Sequence, residues 1–294
     1  MDQIRSIVVG VDFSPGSAAA VRQAMRIAAW NRARLVAVHA IDPVLASEYT
    51  QIMSGFEKDA SRRLIDEVTA EWQRFAAHIA GAEHVPFSVD IDHPYSSMEK
   101  RIALHKVDLL ILGAHGATSP EHGVGTLASA CVRRSRAKVL LVRDTQPGPF
   151  RNVVACVDFS DTSRRALSQA VRVALQDEAF LHVVHVFDMP WNRMRRPAPP
   201  APEVEHRFRE ALPIRLRDFT QELEHEMGYI KPVFAVIEGR NHGEEIARYS
   251  RDLDRALVVL GTRGRADVHE WLVGSTAERV VRAAPCCILA IKPE

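Results

Sequence analysis

Short apolar runs rich in strand formers alternate along this chain with longer stretches whose apolar residues recur every three or four positions. Residues 4–11 read as a strand that stops at Asp12-Phe13-Ser14-Pro15, with Ser14 suited to cap a helix and Pro15 to its first position. Ala18, Val21, Met25 and Ala28 or Ala29 then form a helical stripe, and 35–41 read as the next strand. Leu64, Val68, Trp72, Phe75 and Ile79 mark a longer helix whose stripe belongs in a core. Residues 85–91 suit a third strand, 96–105 a short helix, and 107–112 a fourth strand ending at Gly113. A glycine-bearing loop reaches Gly125-Thr126, a helix runs to about Arg134, and 138–142 make a last strand. Strands alternating with helices, without tight hairpin signals, predict an α/β fold with a parallel sheet covered on both faces. Right-handed crossovers limit the topology, and the five-stranded doubly wound order 3-2-1-4-5 sets the first and fourth strands side by side.

The whole order then recurs, the signature of tandem duplication. Asp12-Phe13-Ser14 reappears as Asp158-Phe159-Ser160, His39 as His185, Gly113 and Gly116 as Gly261 and Gly264, and Gly125-Thr126 as Gly274-Ser275. Two domains are expected, 1–145 and 150–294, joined by the turn-rich and solvent-exposed segment 144–149. The second copy departs at 189–202, where five prolines and three arginines exclude a regular helix and suggest an irregular loop beside the site. The helix beyond carries Phe208, Leu212, Leu216, Phe219 and Leu223 at core spacing, and Pro213 in its middle is expected to kink or interrupt it.

Candidate chemistry concentrates in the second glycine loop, GTRGRADVHEWLVGST, which follows the apolar run 256–260. Ser275 with Glu278 three residues on has the form of a capping box, so strand, glycine loop and helix start succeed one another. Free N–H groups and the positive end of a helix dipole would converge where a phosphate can sit. The spacing G-x2-G-x9-G-S-T is neither a Walker A loop nor the dinucleotide fingerprint. Asp158 ends the first strand and Gly261 the fourth, so both belong at the crevice where the winding reverses. A carboxylate there suits ribose hydroxyls or an adenine donor, and the N–H-rich loop suits phosphates.

Loop spacing and strand-end residues together resemble the ATP-binding branch of the universal stress protein (Usp) family, over nearly the whole chain and as two Usp domains of the adenine nucleotide alpha hydrolase-like type. The resemblance rests on Asp12 and Asp158, on His39-Ala40 and His185-Val186, and on the two glycine loops. It implies ATP, or AMP or ADP, as ligand, with Mg2+ as a companion ion. By that resemblance Asp158 and Val186 contact base or ribose, and Gly261, Gly264, Gly274, Ser275 and Thr276 hold phosphates and ribose. Arg263 and Arg265, beside those glycines, could offset phosphate charge. In the first copy the later spacing is eight residues, the loop contains Pro120 and Glu121, and Ser129 replaces the capping glutamate. A weaker second site is therefore expected from Asp12, Ala40, Gly113, Gly116, Gly125 and Thr126. His115 and His122 lack an assignable carboxylate partner, and no metal site is expected.

Composition narrows the function classes. With 294 residues and 47% hydrophobic content the chain can build two cores, and its net charge of +1 gives no field that favours nucleic acid or an anionic membrane. The first residues lack a signal-type apolar core, so a cytoplasmic protein is expected. Cys131, Cys156, Cys286 and Cys287 have no CxxC spacing and read as reduced, buried thiols. No P-loop lysine, general base or acidic pair stands out, so no catalytic residue is assigned and ATP hydrolysis is expected to be slow at most. A nucleotide-binding stress or signalling module is the expectation, with a slow ATPase or nucleotidyl transferase and an empty dimerisation protein as alternatives. The terminal strands, apolar and at sheet edges, are expected to pair the two domains as an internal pseudo-dimer, with two chains associating further.

Overall fold

The computed structural model describes residues 3–53, 59–116, 124–144, 148–193, 200–263 and 274–293. Gly264, Arg265, residues 145–147 of the linker and 194–199 of the proline-rich segment lie outside them. The chain divides into two compact units at Gly148/Pro149.

The first unit runs β1 (Ser6–Gly10), α1 (Pro15–Asn31), β2 (Arg34–Ile41), α2 (Pro43–Met53), α3 (Ala60–Ala76), β3 (Phe87–Ile91), α4 (Pro94–His105), β4 (Leu109–Gly113), α5 (Thr126–Arg134) and β5 (Lys138–Val142). Its strands are parallel in the order β3-β2-β1-β4-β5, as the alternation predicts. Central strands in such a sheet are covered on both faces, which is why Ile7, Val8, Val9, Leu109, Leu110 and Ile111 are all buried and why the sequence there is continuously apolar.

The second unit repeats the plan with β6 (Asn152–Cys156), α6 (Asp161–Asp177), β7 (Phe180–Phe187), α7 (Pro190–Arg193), α8 (Pro202–Phe219), α9 (Glu224–Met227), β8 (Val233–Glu238), α10 (His242–Arg251), β9 (Ala256–Gly261), α11 (Ser275–Ala283) and β10 (Cys287–Ile291). The parallel order is β8-β7-β6-β9-β10, so in each unit the first and fourth strands are neighbours. All four cysteines are free thiols, and no helix of the described residues is long and apolar enough to cross a membrane.

Three elements differ from expectation for identifiable reasons. Helix α2 has no sequence stripe because it buries just Ala46, leaving Val44, Leu45 and Ile52 exposed; its start is set by Asp42, whose carboxylate accepts from the Val44 N–H at 2.8 Å. Helix α8 runs through Pro213 without interruption. Leu212 and Leu216, beside the proline, are buried, so tertiary packing outweighs the one backbone hydrogen bond that proline removes. Within the proline-rich segment, residues 190–193 form a single helical turn, with Pro190 at the position where a missing N–H costs least.

Candidate functional site

Each unit builds the end of its first strand in the same way. Ser14 caps α1 by accepting from the Ser17 N–H at 3.1 Å, and the Asp12 carboxylate accepts from both the Ser14 N–H, at 3.1 Å, and its hydroxyl. Ser160 and Asp158 repeat this ahead of α6, at 3.1 and 3.0 Å. The residue between them takes the left-handed backbone conformation, Phe13 at φ 62° and Phe159 at φ 64°, which is rare for a bulky side chain and turns the chain sharply off the strand. Each ring then packs on the histidine of the neighbouring strand, Phe13 on His39 with centroids 4.9 Å apart and Phe159 on His185 at 4.5 Å. The histidines fix the same turn. His39 Nδ1 lies 2.8 Å from the Val11 carbonyl and His185 Nδ1 2.7 Å from that of Val157, and since a carbonyl can only accept, Nδ1 carries the proton in both. Burial pushes the His185 pKa down, the Val157 hydrogen bond opposing it to a lesser degree. This turn is the part of the site that the sequence marks by repetition, but the positive φ of the phenylalanine carries no sequence signal of its own.

The glycines that end β4 and β9 have a packing role. A side chain on Gly113 would begin 2.9 Å from the Gly16 carbonyl carbon and 3.0 Å from the His115 carbonyl oxygen. On Gly261 it would begin 2.8 Å from Thr162 Cγ2. Both absent side chains thus leave room for the first turn of α1 or α6 to close on the strand end. That places these helix starts and the chain leaving the fourth strand around one crevice.

The helix after the loop starts differently from the capping-box expectation. The N-cap of α11 is Gly274, Ser275 is the first helical residue, and no side chain caps the helix. Glu278 is paired with Arg282 at 3.6 Å rather than folded back on the cap. In the first unit Gly125 is the N-cap of α5, again with no side-chain cap. The cap N–H groups themselves are not available to a ligand, since Gly125 donates to the Ala114 carbonyl at 2.9 Å and Gly274 to that of Thr262 at 2.8 Å. The donors on offer are therefore those of the first turn, beginning at Thr126 and Ser275.

At the carboxyl edge of the first sheet these parts enclose a cavity of about 240 Å³. Asp12, Ala40, Gly113, Gly116, Gly125 and Thr126, the residues expected of the second site, all line it, together with His39, Pro94, Met98 and His115. Asp12 is the one carboxylate among the described lining residues. Val38, Met98 and Leu112 contribute apolar surface and the α5 start polar surface, a mixture that suits a ligand with a flat base and an anionic group. His115, a lining residue, is held from outside by Arg143, whose Nη1 lies 2.7 Å from His115 Nε2. The sequence offered no sign of this pair, because Arg143 follows the last strand and stands 28 positions from its partner.

In the second unit Asp158 is exposed, Val186 is buried, and Gly261, Arg263, Gly274 and Thr276 are half-buried around the matching strand ends and helix start, with Ser275 exposed. The strand registers set Cys156 where the first unit has Gly10, Val186 where it has Ala40, and Lys292 where it has Arg143. Gly264 and Arg265 belong to the stretch outside the described residues.

Two doubly wound parallel sheets in tandem, each with an uncapped helix start and a strand-end aspartate beside the switch point, define a pair of α/β domains of one plan. The chain belongs to the universal stress protein family, whose model matches twice, over residues 3–143 and 149–292. It is 25% identical over 292 residues to the universal stress protein Rv2623 of Mycobacterium tuberculosis, covering 95% of this chain and 93% of that one. Among solved structures it is similar to a functionally unknown protein of Pseudomonas aeruginosa, with a TM-score of 0.66, 19% identity, and 99% and 93% of the two chains covered. A universal stress protein of Archaeoglobus fulgidus gives a TM-score of 0.63 at 17% identity, with 99% of both chains covered. These structural likenesses confirm the tandem fold.

Proposed function

We propose that this chain is a nucleotide-responsive module that binds an adenine nucleotide at the carboxyl edge of its sheets, without appreciable turnover. The observation that carries the reading is the glycine at each N-cap. Gly125 has φ −59° and ψ 158°, and Gly274 has φ −59° and ψ 142°, conformations open to any residue, so backbone freedom does not call for glycine there. Serine or aspartate would cap these helices better, and their absence leaves first-turn N–H groups for an anion, favoured also by the helix dipole. In the first unit those groups border a cavity lined also by apolar residues, by His39 and His115, and by one carboxylate, at Asp12, suited to ribose hydroxyls.

The donor set fits a nucleotide and does not fit a bound divalent ion. Among the described lining residues Asp12 alone is anionic, and its carboxylate already accepts from Ser14. Mg2+ would therefore have to arrive with the phosphates. In the second unit the intact G-x2-G-x9-G-S-T loop, with Asp158, Val186, Arg263, Ser275 and Thr276, supports the same ligand. In a cell such a protein would act by reporting nucleotide occupancy to a partner, as a cytoplasmic stress-response component. Isothermal titration of the full chain with ATP, AMP and adenosine tests the reading: saturable binding of the nucleotides supports it, and heats no larger than dilution for all three would end it.

A further inference from the structure

We propose that Arg143 selects for anionic ligands in the first-unit cavity, acting through His115 as a positioning residue. The inference rests on the nucleotide reading above and deepens it by naming what distinguishes a phosphate-bearing ligand from a neutral nucleoside at this site. Arg143 is the first residue beyond β5. Gly113 pairs with Val142, and the Ala114 N–H donates to the Val142 carbonyl at 2.8 Å, so the arginine emerges beside the chain that leaves β4. Its Nη1 donates to His115 Nε2 at 2.7 Å. A guanidinium has no acceptor, so His115 must present a lone pair at Nε2 and keep its proton on Nδ1.

This contact has two effects on the cavity that His115 lines. It orients the imidazole and fixes its tautomer, and it brings a permanent cation next to a lining residue of the cavity that the uncapped start of α5 also borders. Asp12, at the end of β1, matches hydroxyl and amino donors. The cavity thus has one anionic lining side chain and, through His115, a cation supplied from outside the lining. In the second unit the corresponding positions carry two cations, the buried Lys292 as the first residue beyond β10 and Arg263 two residues after Gly261, so the histidine acceptor belongs to the first unit.

The test is photolabelling of the full chain with 8-azido-ATP and with 8-azidoadenosine, with labelled peptides assigned to each unit by mass spectrometry. For Arg143→Met the concentration of 8-azido-ATP that half-labels first-unit peptides should rise by roughly tenfold, the order expected when a unit charge about 10 Å from an anion is removed at an effective dielectric constant of about 20. Labelling of the same peptides by 8-azidoadenosine, and of second-unit peptides by 8-azido-ATP, should be unchanged. Arg143→Lys should recover most of the loss. Equal weakening of both probes in the first unit, or no change with either, overturns the proposal. Absence of first-unit labelling of the unaltered chain by either probe would instead remove the nucleotide reading for that unit, and this proposal with it. If Arg143→Met also lost second-unit labelling, Arg143→Gln, which keeps a donor without the charge, would be read by the same criteria.

Discussion

At the scale of single residues, Gly113 and Gly261 look interchangeable in the sequence but differ in what they face. A methyl group on Gly113 meets backbone first, the Gly16 carbonyl carbon at 2.9 Å, whereas on Gly261 it meets side chain first, Thr162 Cγ2 at 2.8 Å, with the Thr162 backbone carbon at 3.3 Å. Gly113→Ala should therefore cost about 1–3 kcal/mol, as overpacking does, and Gly261→Ala distinctly less. Urea denaturation of each variant checks the ranking, and equal losses would contradict it. His182 provides a second residue-level expectation. Its Nε2 donates to Asn152 Oδ1 at 3.1 Å and its Nδ1 accepts from the Tyr249 hydroxyl at 3.0 Å, so the neutral ring is fully satisfied, and burial lowers its pKa as it does that of His185. A histidine whose folded pKa is depressed binds protons preferentially when unfolded. Its contribution to stability is whole above the unfolded value near 6.5 and is lost as pH falls from there through the folded value. The urea midpoint of the second-unit transition should drop between pH 7.5 and 5.5, and by less in His182→Gln. The positions of Asp12, His39 and their repeats were legible as recurring letters. The left-handed Phe13 and Phe159 and the Arg143 to His115 contact were not, because backbone strain and contacts between distant positions leave no local pattern.

At the scale of elements, the helix starts after the glycine loops join stability to binding. A glycine N-cap is weaker than aspartate by a few tenths of a kcal/mol. Gly274→Asp should accordingly stabilise the second unit slightly, by about 0.3 kcal/mol, while placing a carboxylate where a phosphate would sit and abolishing nucleotide binding there. Binding that survives in Gly274→Asp with unaltered affinity would show that α11 does not receive the anion. The capping box read from Ser275 and Glu278 failed by one residue because the same letters also suit a first helical turn, and the Gly274 N–H is held by Thr262, which fixes the start one position earlier. Strands were easier to read than helices. Buried parallel strands declare themselves as continuous apolar runs, whereas α2 rests on the fold through little more than Ala46, and α8 keeps its helix through Pro213 by burying Leu212 and Leu216.

At the scale of the whole molecule, the duplication and the strand order of each unit could be read directly, since both follow from element sequence and handedness rules that operate before any side-chain detail. That the first copy encloses a cavity could not, because its lining, from Gly113, Gly125, Met98 and the turn at Asp12, comes from separate elements that no local pattern joins. The most direct test of the central claim is native mass spectrometry of the full chain titrated with ATP. The account predicts mass increments of bound ATP that saturate, and that are reduced by Gly125→Asp and by Gly274→Asp and eliminated by the two together. A chain that stays free of ATP at millimolar concentration, or whose bound ATP is indifferent to both substitutions, would contradict it.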